Sequence, residues 1–366
     1  MISRSSLALA NSLNSISRRI FSGVIFASVL LAVTACKKES GTPDWDTPGV
    51  TRTNSEKIAT PPPAPLTTVP AVQAKPVSTI APHSAQATEI QSREGLRFIT
   101  YNVENWLTMD RYVNRKNLKG APKPDSEKEA VIKILTKNIP DVIGLCEIGE
   151  ASDLAEIQQK LKAAGLDLPH SHYTGGSDPT RHLGILSRFP IASTAKPAQL
   201  EYQLAGNTFS INRGILDATI AAHGKSYHFL GVHLKSKRDS EQGDQEAIRF
   251  NEALLLRKHI NSIFATDSEA RIIAYGDFND TRSTSAIKTI TGTYKNPGYL
   301  TALAVKDSNN ETWTHHWALN DIYSRIDFVM VSHSILNEVD QDASKIIDDI
   351  EWDKASDHRA VLAVFK

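Results

Sequence analysis

Polar residues of the kinds used in acid–base and metal chemistry follow apolar segments of this sequence at several places. They are Asn102 with Glu104, Glu147, His233, Asp277 with Asn279, Asp327, and Asp357 with His358. Carboxylates that emerge from buried strands are costly unless they are paired or bind a cation. Several of them together predict a hard-cation site with oxygen ligands, most simply for Mg²⁺, with Mn²⁺ or Ca²⁺ as alternatives. The two histidines predict proton transfer near neutral pH.

Taken alone, each of these residues also has a plainer explanation. The Asp357-His358 pair could be surface polarity, Asn279 could shape a turn, and Asp327 could pair with an arginine. Their joint occurrence at strand boundaries favours the chemical interpretation. Four other histidines lie in predicted loops and are assigned no chemistry: His170, His172, His315 and His316.

Alternating apolar strands and amphipathic helices must position these residues. The predicted strands cover 96–102, 141–147, 183–186, 214–220, 227–234, 271–275, 326–331 and 360–365, and the predicted helices cover 126–138, 152–164 and 246–260. We expect Ser126 to cap the first helix. We expect the third helix to bury Ala247, Phe250, Leu254 and Leu255. The alternation predicts a single α/β domain over residues 95–366.

Composition and charge limit the possible functions. The 366 residues are 40% hydrophobic and 22% charged, which excludes disorder throughout, and two cysteines exclude a disulfide-rich scaffold. Residues 1–94 hold nine of the 41 basic and six of the 41 acidic residues, which leaves 32 basic and 35 acidic residues in 95–366. Because that domain is slightly acidic, a polyanion must be held locally by a metal or a small basic cluster.

The N-terminal segment is typical of a targeting signal. Arg18 and Arg19 precede a short apolar stretch, and the segment 31–36 resembles a bacterial lipobox. We therefore expect residues 1–36 to be a signal peptide with a lipidated Cys36, so that the protein is exported and lipid-anchored to a bacterial membrane, facing the periplasm or the outer membrane. The alternative is an ordinary secretory signal. A partial twin-arginine match leaves the export route open.

The next segment is predicted to be a tether. Residues 37–94 contain nine of the 17 prolines and a single aromatic residue, Trp45, so they favour extended conformations without a core. Lipidation of Cys36 leaves Cys146 without a disulfide partner, and its apolar surroundings predict a buried, inert thiol. We expect no protein partner and a monomer.

Seven short motifs, in order along residues 95–366, resemble the endonuclease/exonuclease/phosphatase superfamily, also called the DNase I-like fold. They are Thr100–Glu104, Leu145–Glu147, Gly184–Arg188, Val232–Ser236, Gly276–Asn279, Arg325–Phe328 and Ser356–Val361. Cys146 replaces the glutamine that usually precedes the metal-binding glutamate. The resemblance implies a four-layer α/β sandwich, with two central β-sheets flanked by helices, and metal-dependent cleavage of a phosphate ester.

The resemblance also implies roles around the metal. Glu147 matches the principal metal ligand, and Asn102 matches an asparagine beside both the metal and the phosphate. Asp357 is implied on the metal side. Asp277 and Asn279 are implied to orient the attacking water, the phosphate or a second metal.

Further implied roles concern proton transfer and the phosphate. His358 matches a base or phosphate donor that is oriented by Asp327. His233 is implied to donate to a phosphate oxygen or to protonate the leaving group. Arg213 resembles a family arginine that approaches the phosphate, and a structural salt bridge is its alternative. The local spacing leaves open whether Asp178 orients His233.

The substrate class is open at this point, and three functions compete. A nuclease is favoured by Lys235, which we expect to contact phosphate, and by the basic loop up to Arg238. A phosphodiesterase or phosphatase of lipid headgroups or small esters would suit a membrane anchor, although residues 314–318 do not match the inositol polyphosphate phosphatase motif. A catalytically dead binding module would lack a ligand or histidine, and none is missing. We therefore expect a nuclease-like phosphodiesterase acting on nucleic acid or another phosphate ester.

Overall fold

The computed structural model describes residues 94–113, 115–240 and 243–366. The predicted signal peptide with Cys36 and the predicted tether up to residue 93 lie outside the described residues. In the described ranges, no helix combines the length and the apolar character needed to cross a membrane.

Most strands of the described residues belong to two large sheets. In chain order the strands are β1 (Leu96–Trp106), β2 (Met109–Val113), β3 (Lys116–Ala121), β4 (Val142–Ile148), β5 (His170–Thr174), β6 (His182–Ser187), β7 (Ile191–Thr194), β8 (Glu201–Leu204), β9 (Asn207–Ser210), β10 (Ile215–Ala222), β11 (Lys225–His233), β12 (Ile272–Asp277), β13 (Leu300–Ala302), β14 (His315–Trp317), β15 (Ile322–Ser324), β16 (Asp327–Ser332), β17 (Lys345–Ile346) and β18 (Val361–Phe365). The first sheet has the order β17-β18-β1-β4-β6-β5, and the second has the order β13-β16-β12-β11-β10-β7. Three hairpins, β2–β3, β8–β9 and β14–β15, stand outside both sheets.

Helices cover the outer faces of the two sheets. They are α1 (Asp125–Asn138), α2 (Ala151–Ala163), α3 (Gln245–Thr266), α4 (Ser285–Thr291), α5 (His333–Leu336) and α6 (Trp352–Ala355). Apolar side chains of α1 and α2, such as Leu135 and Leu161, form one buried cluster with the first sheet. Those of α3 and α4, such as Leu256 and Ile287, form another with the second sheet.

The two sheets pack face to face around a third apolar cluster. The rings of Phe98, Phe229 and Tyr275 meet there at centroid distances of 4.8–6.4 Å. Gly144 of β4 lies directly against the Tyr275 ring, because a Cβ at this position would be 2.0 Å from a ring carbon. The order helix, sheet, sheet, helix confirms the predicted four-layer α/β sandwich.

Two local predictions are wrong. The first helix begins at Asp125 and has Pro124 at its N-cap, so Ser126 lies inside the helix and not at its cap. The third helix buries Leu255 as predicted, together with Ile248, Glu252 and Leu256, whereas Ala247, Phe250 and Leu254 are only partly buried. Polar residues cause the second error, since Glu252 and Arg249 of this helix make buried hydrogen bonds to loops of the site.

Parallel pairs bring strand ends together at one edge of each sheet. In the first sheet β1 runs parallel to β4, and Asn102 pairs with Cys146 next to Glu147. In the second sheet β11 runs parallel to β12, and His233 pairs with Asp277. Asp277 in turn lies opposite Asp327 on antiparallel β16. The carboxyl ends of these parallel strands therefore carry the predicted site residues.

Candidate active site

The centre of the site is the side-chain amide of Asn102, which joins the two sheets. Its Nδ2 donates to Glu147 Oε1 at 3.2 Å in the first sheet and to Asp277 Oδ2 at 3.1 Å in the second. Its Oδ1 accepts a hydrogen bond from the backbone N–H of Glu104 at 3.1 Å. Asn102 and Asp277 are each 2% exposed, so this geometry is held away from bulk water.

Backbone strain is concentrated where β1 and β4 end and in the turn after β12. Glu104, Asn105, Glu147 and Asn279 all adopt left-handed φ values, between 47° and 64°. Such conformations are costly for residues other than glycine and persist only where the surroundings enforce them. The Glu147 carboxylate is one such constraint, because its Oε2 accepts the backbone N–H of Asn105 at 2.9 Å.

His358 is oriented by a buried carboxylate. Its Nδ1 lies 2.8 Å from Asp327 Oδ2, and its Nε2 points to Asp277 Oδ2 at 3.7 Å. Burial opposes protonation, yet the charges of Asp327 and Asp277 raise the pKa of His358 well above its usual range. The hydroxyl of Ser356 fixes the loop, since it donates to Asn102 O at 2.8 Å and accepts from His358 N at 3.0 Å.

Asn279, two residues after the end of β12, hydrogen-bonds to the Asp277 carboxylate. Its backbone N–H donates to Asp277 Oδ1 at 2.8 Å, and its amide donates to Leu234 O at 2.9 Å. The same amide lies 3.4 Å from Asp277 Oδ2, the oxygen that also accepts from Asn102. The position of Asn279 also ties the end of β12 to the loop after β11.

His233 lies near the same carboxylate but has no orienting acid. Its Nε2 is 3.5 Å from Asp277 Oδ2 and 3.9 Å from Glu147 Oε1. Its Nδ1 is buried, and among the described residues it has no hydrogen-bond partner. Burial and the charge of Arg213 lower the pKa of His233 well below its usual range. The question about Asp178 is thereby answered, because that carboxylate pairs with Arg213 at 3.1 Å.

A group of cations surrounds the His233 side of the site. Arg213 and Lys235 are only 8% and 7% exposed, and the NH1 group of Arg213 is buried without a hydrogen-bond partner in the described ranges. Burial and the charge of Arg213 lower the pKa of Lys235. Arg181 donates to Asn105 Oδ1 at 2.9 Å and lies 4.0 Å from Glu147. Positive side chains held in this way suit a bound anion.

The opposite flank carries Asp357, Glu104 and His315. The Asp357 side chain is 43% exposed, and its Oδ2 lies 3.7 Å from His315 Nε2. The His315 ring is 4.6 Å from the His358 ring, between centroids. The backbone N–H of Asp357 donates to Glu104 Oε2 at 3.1 Å. Burial and the charge of Asp357 raise the pKa of Glu104 to about 8.

The donor set fits a divalent cation. Burial raises the pKa of Asp277 to about 7, and although His358 opposes this, the charge of Asp327 adds to it. Asp277, Asp327 and His358 present ligand atoms within 4.8 Å of one another, as do His315, Asp357 and His358. A hard cation that prefers oxygen ligands stabilises carboxylates that lie close together. Of the predicted metal ligands, Asp357 belongs to one of these groups, whereas Glu147 and Asn102 lie next to Asp277 through the two hydrogen bonds of the Asn102 amide. Asp277, Asp327 and Glu147 are the carboxylates that would hold such a cation.

Comparison with known proteins defines the class. A sequence model of the Endonuclease/Exonuclease/phosphatase family matches residues 98–349, and the chain therefore belongs to this family. Members of the family hydrolyse phosphoesters. A sequence comparison with curated proteins found no match.

Solved structures share the fold. An endonuclease/exonuclease/phosphatase from Bacteroides vulgatus aligns with a TM-score of 0.53 at 18% identity, covering 75% of this chain and 99% of that one. The human Nocturnin catalytic domain aligns at 0.52 and 15% identity over 74% and 94% of the two chains. Sphingomyelinase C from Streptomyces griseocarneus aligns at 0.50 and 14% identity over 75% and 100%. At these identities the comparison shows the fold alone.

The structure brings most of the predicted site residues together. Contacts of 4 Å or less link Asn102, Glu147, His233, Asp277, Asn279, Asp327, Asp357 and His358 in one connected set. Arg213 and Lys235 lie beside this set, since the charges of both lower the pKa of His233. Sequence reasoning missed Arg181 and His315, whose positions depend on contacts with Asn105 and Asp357, respectively.

Proposed function

We propose that this protein is a metal-dependent phosphodiesterase that cleaves nucleic acid by attack of water on a phosphodiester. The observation that supports it is the convergence on Asp277 Oδ2 of Asn102, His233 and His358, all within 3.7 Å, while the same Asn102 amide binds Glu147. Amide, imidazole and carboxylate groups thus face one space at the edge of both sheets.

Different side chains of the site have different roles in hydrolysis. A divalent cation, most simply Mg²⁺, would neutralise the non-bridging oxygens and stabilise the leaving oxygen. The Asn102 amide is fixed in place by Glu104 N–H, so it can donate to a phosphate oxygen without reorganisation. Asp277, steadied by Asn279 N–H, orients the attacking water and accepts its proton.

The two histidines act on different atoms of the substrate. His358 is held by Asp327 and is protonated near neutral pH, so it donates to the phosphate as negative charge grows on it. His233 is neutral because burial and nearby cations disfavour its charged form. Its Nε2, which lies 3.5 Å from Asp277 Oδ2, can take up the proton that Asp277 accepts from the attacking water and pass that proton to the leaving oxygen.

A second candidate function is hydrolysis of lipid phosphoesters. The β14–β15 hairpin carries His315 into the site and exposes Leu319 (68%) and Ile322 (45%) to solvent. An apolar group beside a phosphoesterase site would suit an acyl chain. This candidate ranks second because, among the described residues of this hairpin, only Leu319, Ile322 and Tyr323 are exposed large hydrophobic side chains.

We also propose the organisation that the sequence predicts for the chain outside the described residues. Residues 1–35 would be removed by cleavage before Cys36, Cys36 would become the lipidated first residue, and residues up to 94 would tether the domain to a membrane. Loss of radiolabelled palmitate incorporation in Cys36→Ser, with the wild type labelled, tests this. Equal labelling of both proteins would contradict it.

The experiment for the proposed activity is plasmid nicking by the purified full-length chain. We expect supercoiled plasmid to be nicked with Mg²⁺ and left intact with EDTA or by His358→Ala. The matched control is His333→Ala, which removes an exposed histidine at the start of α5 and should nick like the wild type.

Parallel reactions separate the two candidate functions. Bis(p-nitrophenyl) phosphate reports phosphodiester chemistry without a polynucleotide, and sphingomyelin vesicles report lipid hydrolysis. Hydrolysis of vesicles without nicking of plasmid or cleavage of RNA would overturn the nuclease proposal in favour of the lipid one. Activity that persists in EDTA would overturn metal dependence.

A further inference from the structure

The β2–β3 hairpin has a charge opposite to that of the rest of the domain. Residues 109–123 contain five basic residues and one acidic residue, within a domain of 32 basic and 35 acidic residues. The remaining residues of 95–366 thus carry 27 basic and 34 acidic groups. A local positive surface on an acidic domain concentrates a polyanion at that place only.

Two of the five basic residues of this segment hold the hairpin in position. Arg111 donates from Nε to Ala121 O at 3.2 Å and from NH2 to Leu107 O at 2.9 Å, and it also binds Asn105 O. Lys123 is 1% exposed, and its Nζ donates to Glu104 O at 3.0 Å. Both side chains thus connect the hairpin to the end of β1 and the residue that follows it.

The other three basic residues are available to a ligand. Arg115, Lys116 and Lys119 are exposed, and within 94–113, 115–240 and 243–366 they make no ion pair or side-chain hydrogen bond. The single acidic residue, Asp110, accepts the backbone N–H of Gly120 at 2.9 Å inside the hairpin. The hairpin therefore presents three cations that form no ion pair with any acidic residue of the described ranges.

The hairpin is joined to the metal-binding side of the site. Asn105, which accepts from Arg111, donates its own backbone N–H to Glu147 Oε2 at 2.9 Å. The same Asn105 accepts from Arg181, and the backbone N–H of Arg181 contacts the Asp178 carboxylate that pairs with Arg213. Contacts thus run from the hairpin past Glu147 to the cations around His233.

We propose that the β2–β3 hairpin, together with Arg181, binds the phosphate backbone of a polynucleotide on one side of the scissile phosphate. The inference rests on the proposed function, and it defines the substrate as a chain longer than the scissile diester. Recognition is by charge and not by base, since the free groups are three flexible cations. A membrane is a poorer fit, because Leu118 is the one large apolar side chain of the hairpin that is exposed among the described residues.

The test uses the full-length chain with Arg115→Gln, Lys116→Gln and Lys119→Gln combined. We expect kcat/KM for plasmid DNA to fall about 10- to 100-fold near 0.1 M salt, because three phosphate contacts are lost. The slope of log kcat/KM against log salt concentration should become shallower by about two to three. Hydrolysis of bis(p-nitrophenyl) phosphate should stay within about twofold of the wild type.

A matched triple variant controls for net charge. Lys258→Gln, Lys288→Gln and Lys295→Gln remove three exposed cations from α3, α4 and the loop after α4. This variant should keep wild-type rates and salt dependence on both substrates.

The outcomes distinguish this inference from the proposed function. If wild type and hairpin variant cleave plasmid alike with the same salt slope, the inference is wrong and the nuclease function stands. If the variant loses both substrates equally, the hairpin acts through the Glu147 loop and the inference is also wrong. If the wild type hydrolyses only the small ester, the nuclease proposal itself fails, and the inference fails with it. Loss of binding to anionic phosphatidylglycerol vesicles, with unchanged plasmid cleavage, would assign the hairpin to a membrane instead.

Discussion

His358 and His233 approach the same oxygen of Asp277 from the two sheets, at 3.7 Å and 3.5 Å, but their surroundings differ. Carboxylates surround His358, and Asp327 fixes its Nδ1. Cations surround His233, and its Nδ1 has no partner among the described residues. The two imidazoles thus lie at similar distances from one carboxylate, but their pKa values shift in opposite directions. The sign of the nearby charge decides which one holds a proton.

The largest loss of activity should come from removing His358, the histidine that a carboxylate orients. We expect His358→Ala to lower kcat for bis(p-nitrophenyl) phosphate by about 10³- to 10⁴-fold, the upper range for a group that stabilises charge and transfers protons. Steady-state kinetics measure it, with His333→Ala as the unaffected control. A loss smaller than that of His233→Ala would reverse the proposed ranking of the two residues.

Removal of the other histidine should cost less. We expect His233→Ala to lower kcat by about 100-fold for the p-nitrophenyl ester, whose leaving group needs little protonation. The loss should grow with a poorer leaving group such as an alkyl alcohol. A loss that is independent of the leaving group would show that His233 does not act on the leaving oxygen.

The partner of each histidine offers a sharper comparison. Asp327→Asn should lower kcat by about 10- to 100-fold, because His358 loses both its orientation and part of its charge. Asp178→Asn should shift the titration of His233 less than Asp327→Asn shifts that of His358, because Asp178 pairs with Arg213 and acts on His233 only through the charge of that arginine. NMR of the imidazole protons in both variants measures these shifts. A shift of His233 in Asp178→Asn as large as that of His358 in Asp327→Asn would mean that Asp178 acts on His233 directly.

The smallest expected effect is the difference between the titrations of His358 and His233 in the EDTA-treated protein. His358 should titrate above about 6.5 and His233 below it, following the directions of their pKa shifts. The stabilisation from His358 is full below its unfolded pKa near 6.5 and is lost as pH rises through its folded pKa. The stabilisation from neutral His233 is present above about 6.5 and is lost as pH falls. Two histidine signals with the same midpoint would contradict the comparison.

Sequence patterns predicted the α/β alternation because the core strands are apolar and continuous, whereas the four-layer arrangement was implied by the resemblance to the family. β4, for example, was expected at 141–147 and lies at Val142–Ile148. The hairpins were missed because their residues are polar and partly exposed, as in Lys116–Ala121, and show no clear hydrophobic period. The inward face of α3 was missed because it includes the buried charges Arg249 and Glu252.

Site residues at the ends of strands could be predicted from the sequence. Site residues that are positioned by tertiary contacts were harder to predict. Asn102, Glu147 and Asp277 follow apolar runs, so their type and position indicated the edge of a sheet. His315 gave no such signal, since it reaches the site through a single backbone bridge to His358. The partner of Arg213 was equally hidden, because the Asp178 loop meets it only in the folded chain.

The most direct test of the account is the rate of bis(p-nitrophenyl) phosphate hydrolysis by the full-length chain in Mg²⁺, in EDTA, and with Glu147→Gln in Mg²⁺. Glu147 supplies the carboxylate that both Asn102 and Asn105 hold at the site. The account predicts hydrolysis by the wild type in Mg²⁺, and a loss of about 100-fold or more in the other two reactions. Equal rates with and without Mg²⁺, or full activity of Glu147→Gln, would contradict a metal-dependent site at these strand ends.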